Sequence, residues 1–284
     1  MKDTFANKNG TVSRVGRKTS GLRGVVYDYY KRHGRELPWR RTRDPYHILV
    51  SEIMLQQTQV ARVLTKYPLF LRRFPTVQSL ARAPFADIMR VWQGMGYNRR
   101  ALALKKLAEA LVKEHGARVP AEREALKALP GIGEATSGAI CAFAFNKPEV
   151  FIETNIRSVF IHHFFKDRAG VSDAQLLPLL TRALDRKNPR IWYSALMDYG
   201  VYLKEAIGNP SRRSLHYRRQ GSFEGSNRQI RGKILKILLK KPALGQAALG
   251  RKLKITQKRL KPLLACLCKE GLLSCRGNSY NING

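Results

Sequence analysis

From Gly21 to about Gly208, apolar residues recur at three- and four-residue intervals, and no two-residue alternation runs long enough to build a sheet. The pattern predicts an almost purely helical region. Asp44 followed by Pro45 marks one helix start, a capping side chain with proline at the first helical position. The residues after it, Tyr46 to Gln56, carry Ile48, Leu49 and Leu55 on one side. A longer helix is predicted from about Asn98 to His115, with Leu102, Leu107, Leu111 and Val112 apolar and Gly116 as its stop. Leu129-Pro130-Gly131-Ile132-Gly133 reads as a tight turn, followed by an apolar helix from Ala135 to Phe145. Another helix starts near Thr154, where Ile156, Val159, Phe160 and Phe164 keep helical spacing. Two more are predicted over about 173–185 and 189–207, the second with Asn188 as cap and Pro189 at its first position.

The pattern then changes. Arg212 to Lys241 hold ten Lys or Arg and one acid, Glu224. Three short helices are predicted near 228–239, 245–253 and 256–270. A small hairpin is expected over 272–276 and 279–282, turning at Gly277-Asn278. Three helices and a hairpin form a winged-helix pattern. The expected organisation is a basic flexible tail (1–20), a helical domain (21–208), a basic linker (209–226) and a winged-helix-like domain (227–284).

Charge narrows the partners. Lys and Arg number 53 against 20 Asp and Glu among 284 residues, a formal charge of +33, which favours a polyanion. With 44 % hydrophobic residues the chain still builds a core. No apolar run approaches the length of a membrane span, and the N-terminus lacks a signal-peptide segment. Four cysteines (Cys141, Cys266, Cys268, Cys275) are too few for a secreted disulfide scaffold. The expected compartment is a reducing cytosol, in a bacterial or archaeal nucleoid. His162 and His163 are adjacent on a helix and point about 100° apart, a poor metal pair, so no metal is expected.

The Leu-Pro-Gly-Ile-Gly turn is the strongest local signal. Its glycines allow a tight backbone, and its amides with the next helix N-terminus form an anion site. That is the shape of a helix-hairpin-helix, which grips a DNA phosphate without reading sequence. The alternative is an ordinary interhelical turn; the charge favours the grip.

Glu52 lies four residues after Ile48 and three after Leu49, on their apolar face. A carboxyl there is desolvated and holds its proton, which suits a general acid. Alternatively it is a core-edge acid paired with an Arg. Glu153 stands at a helix start, where the dipole favours the ionised form; the plain alternative is an acidic cap.

Leu129–Gly133 and the helix after it resemble the helix-hairpin-helix (HhH-GPD) DNA glycosylases. Leu37-Pro38-Trp39-Arg40, the run Ser51 to Val60 with Glu52-Ile53-Met54-Leu55-Gln56-Gln57-Thr58, the stretch Trp92 to Tyr97, and Met197-Asp198-Tyr199-Gly200 resemble the MutY-type adenine glycosylases. The resemblance covers about 37–208. It implies an all-α fold of two helical subdomains and removal of adenine mispaired with 8-oxoguanine or guanine in double-stranded DNA. It also implies that Glu52 protonates the leaving purine. The family's usual aspartate at position 153 stabilises the sugar cation, and here it is replaced by the longer glutamate. Asn155 matches the family's asparagine beside that acid, and Gln57 its intercalating glutamine. Trp39, Arg40, Gln56 and Tyr97 are candidate wall, base-edge or plug residues, or ordinary packing. Leu129, Gly131, Ile132, Gly133, Arg212 and Arg213 are the expected DNA contacts. Two carboxylates around a scissile C–N bond follow the logic of glycoside hydrolysis, after the base has been flipped out.

Three departures qualify the resemblance. Bifunctional relatives place a lysine two residues after the Gly-Ile-Gly turn, where this chain has Ala135, so little or no lyase activity is expected. Many relatives bind an iron–sulfur cluster through cysteines after the Asp-Tyr-Gly segment; 206–214 contain none, so no cluster is expected. No 8-oxoguanine-reading domain is visible; the winged-helix-like segment stands in its place. A monomer is expected. Two alternatives remain: a thymine or uracil mismatch glycosylase of the same superfamily, against which Glu52 and the glutamine run argue, and a non-catalytic DNA-binding protein, which needs neither acid.

Overall fold

The computed structural model describes residues 8–283, with side chains described from Thr19 onward. Helices α1 (Lys8–His33), α2 (Pro45–Leu55), α3 (Val60–Arg73), α4 (Val77–Arg82), α5 (Phe85–Trp92) and α6 (Arg99–Glu114) precede α7 (Arg123–Ala128), the Gly-Ile-Gly turn and α8 (Glu134–Phe145). Then come α9 (Thr154–Phe164), α10 (Asp173–Ala183), α11 (Pro189–Ile207) and a 3-10 turn, Pro210–Arg213. The C-terminal part holds α12 (Asn227–Lys240), β1 (Leu244–Gly245), α13 (Gln246–Leu253), α14 (Gln257–Lys269), β2 (Leu273–Arg276) and β3 (Ser279–Ile282). Among the described residues no helix is long and apolar enough to cross a membrane.

The fold is mainly helical, as the periodicity implies, with one small sheet. Asp44 caps α2, its carboxylate accepting the Tyr46 and His47 amides at 2.8 and 3.3 Å. Asn188 precedes α11 but makes no side-chain cap. The Asn146 side-chain oxygen takes that work instead, accepting the Arg190 amide in the first turn at 3.2 Å. Residues 8–20, expected within a flexible tail, are helical in α1. Helix propagates cheaply from a packed segment, and α1 is anchored by buried Leu22 and Val26. Residues 1–7 of that expected tail lie outside the described residues.

The chain forms two units that do not follow its linear order. One joins residues up to Arg43 with Glu134–Arg219; the other joins Asp44–Gly133 with Gln220–Gly284. In the first, α1, α8, α9, α10 and α11 enclose Val26, Phe151, Phe160, Leu180, Trp192 and Leu196. Arg23 donates to the Ala183 and Leu184 carbonyls at the end of α10, and Arg157 of α9 grips Asp173 of α10 at 2.8 and 2.7 Å. In the second unit, α2 to α6 bury Ile48, Phe70, Leu80, Trp92 and Leu104. Its C-terminal part buries Ile234, Leu249, Leu264 and Leu273 under an antiparallel sheet ordered β1-β3-β2. Arg276 pairs Ser279, so Gly277-Asn278 forms a two-residue hairpin turn with Gly277 at φ +58°.

Asp198 of α11 is the central buried charge of the first unit. Arg40 grips it with bonds of 2.8 Å to each oxygen, and Arg35 adds its amide at 2.8 Å and its Nε at 2.7 Å. Burial acts to raise this carboxyl, but the two arginines overcome it and hold the group below the ordinary aspartate range. The stabilisation is therefore present above the ordinary aspartate range and disappears as acid protonates the folded carboxylate. Asp198→Ala is expected to lower the unfolding free energy by about 3–5 kcal/mol at neutral pH, because two arginines lose their partner. Urea denaturation measures this, and the acid-side loss of stability should shrink in the variant.

Candidate active site

Helix α2 is buried on nearly every side. Ile48, Leu49, Val50, Ser51, Ile53 and Met54 are all shut from solvent, and Glu52 is half-buried on the strip that stays open. A carboxyl so placed has apolar neighbours along the helix and still has access to a reactant. One turn further the helix ends in Gln56-Gln57-Thr58. Gln57 is exposed and left-handed, with φ +53°, a conformation that costs a non-glycine residue energy and must be held by its surroundings.

Arg100, at the start of α6, does the holding. Its guanidinium donates to the Ile53 and Met54 carbonyls at 2.9 Å each, to the Gln56 carbonyl, and to the Thr58 hydroxyl at 2.8 Å. It also donates to the Gly96 carbonyl at 3.3 Å and lies over the Trp92 and Tyr97 rings, 5.5 and 5.4 Å from their centroids. One planar cation thus caps the C-terminus of α2 and ties it to the Trp92–Tyr97 turn. Burial pushes the guanidinium down to about 10, with Tyr97 opposing, and it remains charged at neutral pH. Sequence reasoning missed Arg100, since a lone arginine near a helix start has no motif of its own.

Tyr97 sits in that turn at φ +46°, partly exposed, with its hydroxyl bonded to Gln220. The Gln56 amide donates to the Gly131 carbonyl at 3.4 Å, linking the glutamine run to the Leu129–Gly133 turn. Gly131 has φ +82°, and a Cβ there would lie 2.8 Å from the Ala103 Cβ, so only glycine fits. Leu129 and Ile132 are buried anchors, while the space around Gly133 is open.

The second acid belongs to the other unit. Glu153 is the N-cap of α9: its Oε1 accepts the Asn155 and Ile156 amides at 2.7 and 2.9 Å, and its Oε2 accepts the Asn155 side-chain amide at 3.2 Å. The extra methylene of glutamate is absorbed in folding the carboxylate back over its own helix start. Burial raises this carboxyl above its ordinary range; the Ile156 amide, Lys204, the Asn155 amide and Arg157 oppose it in that order.

Other expected site residues have structural duties. Arg40, expected at a base edge, commits its guanidinium to Asp198 and the Ser194 carbonyl. Trp39 is buried. Arg213 donates to the Phe165 carbonyl at 3.0 Å, whereas Arg212 is exposed. His163 bonds the Tyr199 hydroxyl at 3.0 Å and is pushed down to about 4, first by burial and then by His162 and Lys166.

Residues 50–177 match the family model of the HhH-GPD superfamily base excision DNA repair proteins. The chain belongs to that superfamily. Among its relatives, an adenine DNA glycosylase of Mycobacterium tuberculosis is 35 % identical over 233 residues, spanning 74 % of this chain and 76 % of that one. A thymine/uracil-DNA glycosylase of Pyrobaculum aerophilum is 37 % identical over 137 residues, 48 % of this chain and 60 % of that one. The solved structure of a thermostable thymine-DNA glycosylase superposes with a TM-score of 0.62 at 26 % identity, covering 69 % of this chain and 92 % of that one.

Arg100→Ala is expected to release the glutamine turn without unfolding the helices. The Thr58 amide, bonded to the Leu55 carbonyl at 3.2 Å, should exchange with solvent at least about tenfold faster by hydrogen-exchange NMR. Arg100→Lys should restore little, because an ammonium cannot reproduce the planar fork.

Proposed function

We propose that the protein is a monofunctional DNA glycosylase that removes adenine mispaired with 8-oxoguanine or guanine, acting as a monomer on double-stranded DNA. The observation that carries this reading is the end of α2: a half-buried glutamate one turn before an exposed, left-handed Gln57 that Arg100 holds in place. The kinship with adenine DNA glycosylases supports the choice of base.

In this reaction the N-glycosidic bond breaks with its electron pair leaving on the base. Glu52 gives its proton to the departing adenine, so the base leaves neutral. Glu153, ionised, stabilises the positive sugar that remains, and Asn155 orients it. Water then adds to the sugar carbon and gives a proton to the Glu52 carboxylate, which restores the acid. Gln57 fills the gap left by the flipped base, and Tyr97 and Gln56 contribute to the pocket wall. The Leu129–Gly133 turn grips a phosphate, and the open space at Gly133 permits close approach. Residues 227–284 carry fourteen Lys and Arg against one acid, Glu270, which Arg231 already neutralises, so this part adds electrostatic grip on the duplex. Ala135 supplies no amine for a Schiff base, which supports hydrolysis without strand cleavage.

The reading includes no iron–sulfur cluster. Residues 206–219 contain no sulfur; the Pro210–Arg213 turn is tied by Ser211 to the Thr154 carbonyl and by Arg213 to α9. Cys141 is buried in α8 and the other three cysteines lie at 266–275, so the sequence after the Asp-Tyr-Gly segment offers no run of cysteine ligands, which supports this reading.

Single-turnover excision over a panel of duplexes tests the proposal: adenine opposite 8-oxoguanine, guanine and cytosine, and thymine and uracil opposite guanine. Adenine opposite 8-oxoguanine and guanine should be released fastest; preference for thymine or uracil would instead support a pyrimidine glycosylase. Glu52→Gln should slow adenine release by at least about a hundredfold with duplex binding retained. Glu153→Ala should lose about as much, whereas Glu153→Asp should stay active, because aspartate also caps a helix.

A further inference from the structure

Helix α11 lies against the first turn of α9 because position 200 is glycine. A Cβ there would stand 2.6 Å from the Asn155 carbonyl oxygen and 2.7 Å from the Asn155 Cβ. One turn further along the same face of α11, Lys204 Nζ donates to Asn155 Oδ1 at 2.6 Å. An ammonium only donates, so it fixes which way the Asn155 amide points. Oδ1 faces Lys204, and Nδ2 is left to donate to Glu153 Oε2 at 3.2 Å. With Lys204 protonated and Glu153 ionised, every bond of this ammonium–amide–carboxylate chain runs from donor to acceptor.

We propose that Lys204 is a positioning residue for base excision: it sets the Asn155 amide and keeps Glu153 ionised for the developing sugar cation. The proposal rests on the role given to Glu153 above.

The groups around Glu153 leave this task to Lys204. Arg157, on α9 itself, is engaged by Asp173 of α10 through two short bonds. The Pro210–Arg213 turn presents the Ser211 hydroxyl to the Thr154 carbonyl at 2.9 Å, a neutral contact, and its Arg213 reaches the far end of α9. Against the burial that raises Glu153, Lys204 is the leading charge, ahead of Arg157. Burial also lowers Lys204, and Glu153 opposes that, so each charge sustains the other.

The pH dependence of single-turnover adenine release tests this. Glu153 must be ionised, so activity rises as pH passes upward through its titration, and a higher pKa moves the acid limb to higher pH. Lys204→Met should move that limb up by about one pH unit, making release about tenfold slower on the acid side with little change on the alkaline side. Lys204→Arg should restore the wild-type limb. Gly200→Ala, which forces α11 away from Asn155, should move the limb in the same direction as Lys204→Met. Melting temperatures and duplex affinity establish that each variant is folded. A merely structural lysine would slow release equally at every pH. The carboxyl stretch of Glu153, followed by infrared titration against Glu153→Gln, reads the same displacement without turnover. A wild-type enzyme that releases no adenine would defeat the proposed function while leaving this titration decisive for Lys204. An unmoved limb and an unmoved infrared titration in Lys204→Met would overturn the proposal.

Discussion

The near-contact of backbone at Gly200 and Asn155 is the constraint on which the first unit turns. It sets how close α11 comes to the cap of α9, and α11 carries useful groups on both sides of it. Before it, Asp198 takes two arginines from the segment after α1. After it, Lys204 reaches the Asn155 amide. A side chain at 200 would have to displace backbone, not the tip of a flexible residue, so the helix pair has little freedom to relax. The buried ion cluster and the capped acid therefore share one rigid element.

The two acids sit in different surroundings, and the roles proposed for them use that difference. Glu52 is half-buried on a helix whose Ile48, Leu49, Ile53 and Met54 are shut from solvent. Glu153 is surrounded by amides and cations at a helix start, where the dipole and hydrogen bonds oppose the cost of burial. Substituting glutamate for aspartate in that position does not leave a carboxylate dangling. The longer chain turns back and engages both of its oxygens.

Local features were legible in the sequence. The Asp44-Pro45 start, the glycine turn at 131, the C-terminal hairpin, the start of α9 and the bounds of α11 follow from signals within a few residues. Glu153 was recognisable as a possible cap for the same reason, and the resemblance to glycosylases implied a chemical role for it. What stayed hidden was long-range. Arg40 is bound by an aspartate 158 positions away, so it looked available for a base. Arg100 serves carbonyls more than forty positions earlier, and Lys204 an asparagine 49 positions earlier. Nothing in the spacing of charged residues marks which helices come together. The helix at 8–20 was missed because its stability comes from the packed residues after it and not from its own composition.

The interleaving of the two units governs the order in which the chain can acquire structure during synthesis. Helices α2 to α6 are contiguous, so their core is available once residue 114 has emerged. Helix α1 precedes them, yet its partners on α10 and α11 come more than 150 positions later. Its apolar face, Leu22 and Val26, must stay uncovered while the intervening segment is produced. Loop closure over such a distance is slow compared with the folding of neighbouring helices. The nascent chain thus carries an uncovered apolar segment, without the packing that stabilises its helix, until α11 arrives.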